Sequence, residues 1–190
     1  DEMKFDKCGG CTVLGIMKSV SELKLPINVV GIIPSVENMI GGEAYRPGDI
    51  IKLYNGKTAE ILNTDAEGRL ILADALAYGE KQYAPKAIIY FATITGAWIV
   101  AIGNNVTAIV SNDKQLTKKI INSSKTTTEE SWELPLTQDY MDMIKSDVAD
   151  IKNVGIGKAA GTITAAAFLK SAIKDTPWVH FDIAGVAWTQ

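Results

Sequence analysis

Short apolar runs rich in β-branched residues alternate along this chain with segments whose apolar residues recur at helical spacing. No other feature narrows the possible folds as much. Ile27-Asn28-Val29-Val30-Gly31-Ile32-Ile33, closed by Pro34, reads as an interior strand. Lys86 to Phe91, Val106 to Val110 and the run from Pro177 into Asp182 read the same way. Between them, Val13, Ile16, Met17, Val20 and Leu23 fall on one core-facing side of a helix that Pro26 stops. Leu70 to about Gln82, Lys114 to Asn122 and Gly161 to Lys174 are further helices, the last made of small residues that allow close packing. The pattern predicts an α/β fold, a central mixed, largely parallel sheet flanked by helices.

The 190 residues fit one domain, 1–190, with enough chain to bury a sizeable core. A net charge of −3 gives no general attraction to phosphate backbones, so a nucleic-acid partner is not expected. No uninterrupted apolar run reaches the roughly 18 residues of a membrane span, and Asp1-Glu2-Met3-Lys4 is not a signal peptide. Asn105-Val106-Thr107 matches a glycosylation sequon, but nothing else indicates secretion, and the expected location is cytoplasmic. Cys8 and Cys11, in C-G-G-C, lack the second pair a metal site would want. They read as free thiols at a helix start in a reducing compartment.

The chemistry gathers in Asn63-Thr64-Asp65-Ala66-Glu67-Gly68-Arg69. Asn55-Gly56, between two strand-like runs, predicts a type I′ hairpin that delivers the chain into it. If the segment is extended, Asp65, Glu67 and Arg69 share one side. Two neighbouring acids repel, so the cluster suits a cation, a shared proton or an arginine partner. A solvated turn with an internal salt bridge is the plainer alternative. The acids precede a helix, where sites of α/β folds often lie.

Other polar residues have simpler readings. Asp6 suits a helix N-cap, and Glu37 and Arg46 suit surface pairing. Ser123 to Ser131 reads as a polar loop and Trp132 to Leu136 as packing. Asp147 and Asp150 read as structural or capping acids in a loop over 147–153, and His180 as a hydrogen-bonded core residue.

In its full form, Asn63 to Leu76 closely resembles the signature of the leucyl aminopeptidase family, dinuclear metallo-exopeptidases. Met3-Lys4-Phe5-Asp6 resembles that family's Met-Lys-x-Asp motif, and Ala92-Thr93-Ile94-Thr95-Gly96-Ala97 its Ala-Thr-Leu-Thr-Gly-Ala segment. The resemblance runs from Met3 to about Trp188, although the family often has Asp at the position of Tyr90. It implies a two-metal aminopeptidase that removes N-terminal residues, preferably leucine or another apolar residue, from peptides with a free amino terminus.

By resemblance, Asp6, Asp65 and Glu67 are metal ligands and Glu67 bridges two ions. Arg69 is the catalytic residue; too basic to accept a proton itself, it holds a bicarbonate that shuttles one. Met3, Asn63, Thr93, Ile94, Gly96, Ala184 and Ala187 bind substrate. Carboxylates without His or Cys suit Zn²⁺ or Mn²⁺, with Mg²⁺ or Co²⁺ also admitted. The family assembles as homohexamers.

The family's upstream segment, with a metal-binding Lys, a bridging Asp and a catalytic Lys, has no counterpart in this sequence. Its N-terminal domain and final Gly-rich segment are absent too. The chain is therefore expected to be part of a catalytic domain, inactive alone. Two other classes fit the residues: a two-metal phosphoester hydrolase, and a non-catalytic structural or DNA-associated relative.

Overall fold

The computed structural model describes residues 3, 6–155, 157 and 159–187. Lys4, Phe5 and Trp188 of the family-like stretches lie outside the described residues. In chain order the elements are α1 (Cys8–Glu22), β1 (Ile50–Lys52), β2 (Thr58–Glu60), α2 (Gly68–Tyr83), β3 (Ile88–Ala92), α3 (Ile99–Ile102) and β4 (Thr107–Ser111). There follow α4 (Lys114–Thr127), β5 (Ser131–Glu133), α5 (Gln138–Asp142), β6 (Ile151–Lys152), α6 (Gly161–Lys170) and β7 (Trp178–Asp182).

The main sheet is mixed, in the order β3-β7-β4-β5. β7 runs parallel to β3, from Ile88↔Trp178 to Ala92↔Asp182, and antiparallel to β4, which pairs in parallel with β5. Apolar side chains on both faces make this an interior sheet. Trp178 and Val179 of β7 and Ile109 and Val110 of β4 are completely buried. α6 is buried from Thr162 to Leu169, its alanines letting the helix come close while Phe168 and Leu169 fill the core. Burying one such large side chain stabilises the fold by roughly 1.5–3 kcal/mol.

The α/β architecture matches the sequence expectation, with several corrections. The sheet is not alone: β1, β2 and β6 form a second, three-stranded sheet. The predicted hairpin joins β1 to β2, but not through a type I′ turn. Only Gly56 of the Asn-Gly pair has positive φ, +91°, and type I′ needs it at both central residues. β6 lies within the expected 147–153 loop, where Asp150 braces the small sheet by accepting from the Thr58 N–H at 2.7 Å. α4 continues five residues past Asn122, with the Thr126 and Thr127 hydroxyls turned back to the Asn122 and Ser123 carbonyls, both at 3.1 Å. Trp132 is largely solvent-exposed on β5 rather than packed.

The largest departure is Ile27–Ile33, which forms no strand. Its residues form no regular element and pack on α1 and α2: Gly31 lies against Met17 and Val13, and Ile32 reaches Gly79. Among the described residues it has no ladder partner, so β-branched propensity alone does not make a strand there. On the other side of the same space, β3 is hydrogen-bonded to β7 along one edge only.

Candidate functional site

α2 begins where Asn63 to Arg69 hands the chain from the small sheet to a helix. Asn63 turns its side-chain Oδ1 onto the Asp65 N–H at 2.9 Å, and its carbonyl accepts from Ala66 N–H at 3.3 Å. Asn at this position favours such a turn over an extended path. Glu67 is already helical at φ −83°, ψ −37°, and its carbonyl accepts the Leu70 N–H at 2.9 Å. The segment is thus a turn running into a helix, not an extended run. Asp65, Glu67 and Arg69 do not share a side: Asp65 is exposed, Glu67 half-buried, and Arg69 buried in the first turn of α2.

Two Asn residues fix this handover from elsewhere in the chain. Asn38 donates its Nδ2 to Glu67 Oε1 at 3.2 Å. Asn153, just after β6 and fully buried, accepts at Oδ1 from the Leu62 N–H at 2.9 Å and donates from Nδ2 to the Asn63 carbonyl at 2.7 Å. Its own carbonyl accepts from Arg69 Nη1 at 2.8 Å. No sequence signal marks Asn153, because its contacts reach about 90 residues back along the chain.

Behind the loop lies a buried polar layer. Burial lowers Arg69 to about 10, partly countered by the nearby carboxyls of Asp182 and Glu67. Asp182, at the end of β7, is pushed up to about 7 by burial, against the Ala184 N–H, the Thr162 hydroxyl and the Arg69 guanidinium. That hydroxyl sits beside the carboxyl without the geometry of a hydrogen bond. His180 is driven down to about 3 by burial and by Arg69, so it is neutral at pH 7. Its ring stacks on Tyr90 at 4.8 Å, and neither ring nitrogen has a partner among the described residues. The expectation of a hydrogen-bonded core histidine therefore holds for its burial and fails for its bonding.

Asp6 reaches the site from the other end of the chain. It does not cap α1, whose N-cap is Lys7 without a side-chain bond. Instead its Oδ1 accepts from the Thr93 hydroxyl at 2.5 Å, just beyond β3. α1 can lie this close because residue 9 is glycine: a Cβ there would sit 2.2 Å from the Phe91 carbonyl oxygen. Cys8 and Cys11 are free, as expected, and the Cys8 thiol points to the Ala187 carbonyl at 3.8 Å.

A cavity of about 2470 Å³ opens between α1, residues 26–38, α2 and β3. Asp6, Asp65, Glu67 and Arg69 all line it, and so do Met3, Thr93, Ile94, Gly96 and Ala184. Asn63 and Ala187 are not among its lining residues. The three acids thus share one space. Among the described residues, however, no three His, Cys, Asp or Glu side chains gather closely enough to cage an ion. Their hard oxygen donors fit a divalent cation in kind, as part of a larger ligand set. Among the described residues no helix is long and apolar enough to cross a membrane.

Comparison with known proteins adds to this geometry. The model of the cytosol aminopeptidase family, catalytic domain, matches residues 1–190. A probable cytosol aminopeptidase of Cenarchaeum symbiosum (strain A) is 73% identical over 190 residues, covering 100% of this chain and 39% of that protein. Proteins of the same description from Desulfotalea psychrophila and Nitrosospira multiformis are 55% and 52% identical over 188 residues, covering 99% of this chain and 37% and 36% of theirs. The chain therefore spans well under half the length of these relatives.

Proposed function

Because the chain belongs to the cytosol aminopeptidase family, we propose that it is part of the catalytic domain of a metal-dependent aminopeptidase. The substrates are peptides with a free amino terminus, and the residue removed is preferably leucine or another apolar one. The observation that carries this reading is the meeting of Asp65, Glu67 and Arg69 with Asp6 on one cavity, although they are far apart in sequence.

By family resemblance Asp6, Asp65 and Glu67 would hold divalent ions, Zn²⁺ or Mn²⁺ with Mg²⁺ or Co²⁺ also admitted. When bound, such ions polarise the scissile carbonyl and lower the pKa of water. The chain's own residues prepare the site. Thr93 holds the Asp6 carboxylate through its hydroxyl, and Asn38 tethers Glu67. Arg69, even lowered to about 10, stays cationic at pH 7. It would hold the bicarbonate that the family resemblance implies, a group that would supply the proton acceptor a guanidinium cannot be. Met3, Thr93, Ile94, Gly96 and Ala184 line the space for the substrate's first residue.

The cavity exceeds the roughly 300–1,000 Å³ of a small-molecule site. It has room for further chain, and by family resemblance a metal-binding Lys, a bridging Asp and a catalytic Lys come from the length that the relatives have beyond this match. These 190 residues alone turn over little. The whole protein is a cytosolic homohexamer.

The test uses the full-length protein with Mn²⁺ and a leucyl nitroanilide. Glu67→Gln is expected to lower kcat by on the order of 10²-fold or more, the scale of losing a group that stabilises the transition state. An N-acetylated substrate is not cleaved. Wild-type turnover by Glu67→Gln overturns the reading.

A further inference from the structure

We infer that Asn153 is a positioning residue: its carboxamide clamps the loop that aims Asp65 and Glu67 into the cavity, while its carbonyl orients Arg69. The inference rests on the aminopeptidase reading above and assigns a part to a residue that touches neither substrate nor ion. Asn153 is completely buried, so its carboxamide must find its partners inside the protein. It does so entirely on one short segment. Oδ1 accepts from the N–H groups of Leu62 and Asn63, at 2.9 and 3.4 Å. Nδ2 donates to the carbonyls of Asn63 and Ala66, at 2.7 and 3.3 Å.

These bonds grip the loop on both sides of Asp65. They continue outward, because Asn63, held by Asn153, in turn holds the Asp65 N–H at 2.9 Å. The clamp is anchored: the Asn153 N–H donates to the Glu60 carbonyl at 2.9 Å, extending the β2–β6 ladder. One side chain therefore ties the acid-bearing turn to the small sheet, and the same residue's carbonyl takes the Arg69 guanidinium at 2.8 Å.

Few other residues could do this. A carboxamide presents two donors on one atom and two acceptor sites on the other, in one plane. Asp keeps the acceptor and loses both donors. Gln has the groups but adds a methylene in a fully buried site, where extra volume is costly. A clamp of this kind acts on the ions through their ligands, and losing such support typically costs about 10–100-fold in metal affinity or activity.

The experiment compares metal-stripped full-length wild type, Asn153→Asp and Asn153→Ala by calorimetric titration with Mn²⁺, with melting temperature and kcat and KM measured alongside. Both variants are expected to bind Mn²⁺ about 10–100-fold more weakly, and kcat to fall further than KM rises. Phe168→Leu, a core change on α6 that removes none of the loop's hydrogen bonds, lowers the melting temperature but leaves Mn²⁺ affinity unchanged. Variants that melt early yet bind Mn²⁺ as wild type does make Asn153 merely structural and overturn the inference alone. Wild type that binds no Mn²⁺ overturns the metal reading first. Hydrogen exchange on wild type decides the clamp if a variant does not fold. The Leu62 and Asn63 amides should exchange as slowly as the Asn153 ladder amide, and exchange as fast as the hairpin tip at Asn55–Lys57 overturns the clamp.

Discussion

The two flanks of β3 carry similar kinds of side chain and treat them in opposite ways. Toward β7, β4 and α6, apolar residues vanish into the core, with Trp178, Phe168 and Ile109 completely buried. Toward α1 and residues 26–40, Leu14, Leu23 and Val30 stay 62%, 68% and 51% exposed. The difference is not one of hydrophobicity. On the closed flank each strand has hydrogen-bonded neighbours and a helix over it, whereas on the open flank an apolar segment without a ladder partner among the described residues faces the free edge of β3 across a cavity. An apolar side chain is buried only where other elements pack over it. The candidate site lies on this boundary, with Arg69 rooted in the closed flank and Asp6 presented from the open one.

The contrast can be broken most forcefully at Phe168. Phe168→Ala should destabilise the domain by about 3–5 kcal/mol, the usual cost of emptying a well-packed aromatic site, measured by denaturant unfolding. A loss under about 1 kcal/mol would mean that the closed flank is not the packed one.

A second effect comes from the buried pair on β7 and has two opposed signs. His180 has a lowered pKa, so its contribution is complete above about 6.5 and is lost as the pH falls toward about 3. Asp182 has a raised pKa, so its contribution is complete below about 3.8 and is lost as the pH rises through about 7. Each slope is at most about 1.4 kcal/mol per pH unit. The two slopes oppose each other between about pH 3.8 and 6.5, so His180→Gln should unmask a fall in stability as the pH rises toward about 7, and Asp182→Asn a fall as the pH drops toward about 3. Two variants with curves parallel to wild type would show that neither group is buried as described.

The smallest effect belongs to the open flank. Val30→Ala should change stability by no more than about 0.5 kcal/mol in this chain, the range of ordinary surface substitutions. A cost approaching that of Phe168→Ala would erase the contrast.

Much of the element order was legible from sequence. Helical spacing located α1 and α2, apolar runs located β3, β4 and β7, and Asn55-Gly56 located the hairpin, but Ile16 and Leu23, on the side of α1 that reads as core-facing, are exposed. These are local signals. Ile27–Ile33 was misread because a strand is defined by its neighbour, and its own side chains cannot report whether one is present. The Ser/Thr-rich end of α4 resembles a loop in sequence, because such residues favour turns and caps over helix interiors. At the site, the acids and Arg69 were legible as a motif, but their directions were not. Alternation would put Asp65, Glu67 and Arg69 on one side, and the Asn63 turn sends Arg69 inward instead. Asn153 was illegible, since an Asn with long-range partners looks like any other loop Asn.

The placement of β7 has a consequence for biosynthesis. It is among the last segments of these residues to be made, yet it lies between β3 and β4, which have no hydrogen bonds to each other without it. As a ribosome extends the chain, β3 and β4 must wait with their apolar faces unpaired until residues 178–182 emerge. The nascent polypeptide is thus most prone to aggregate, and most in need of a chaperone, just before its central strand arrives.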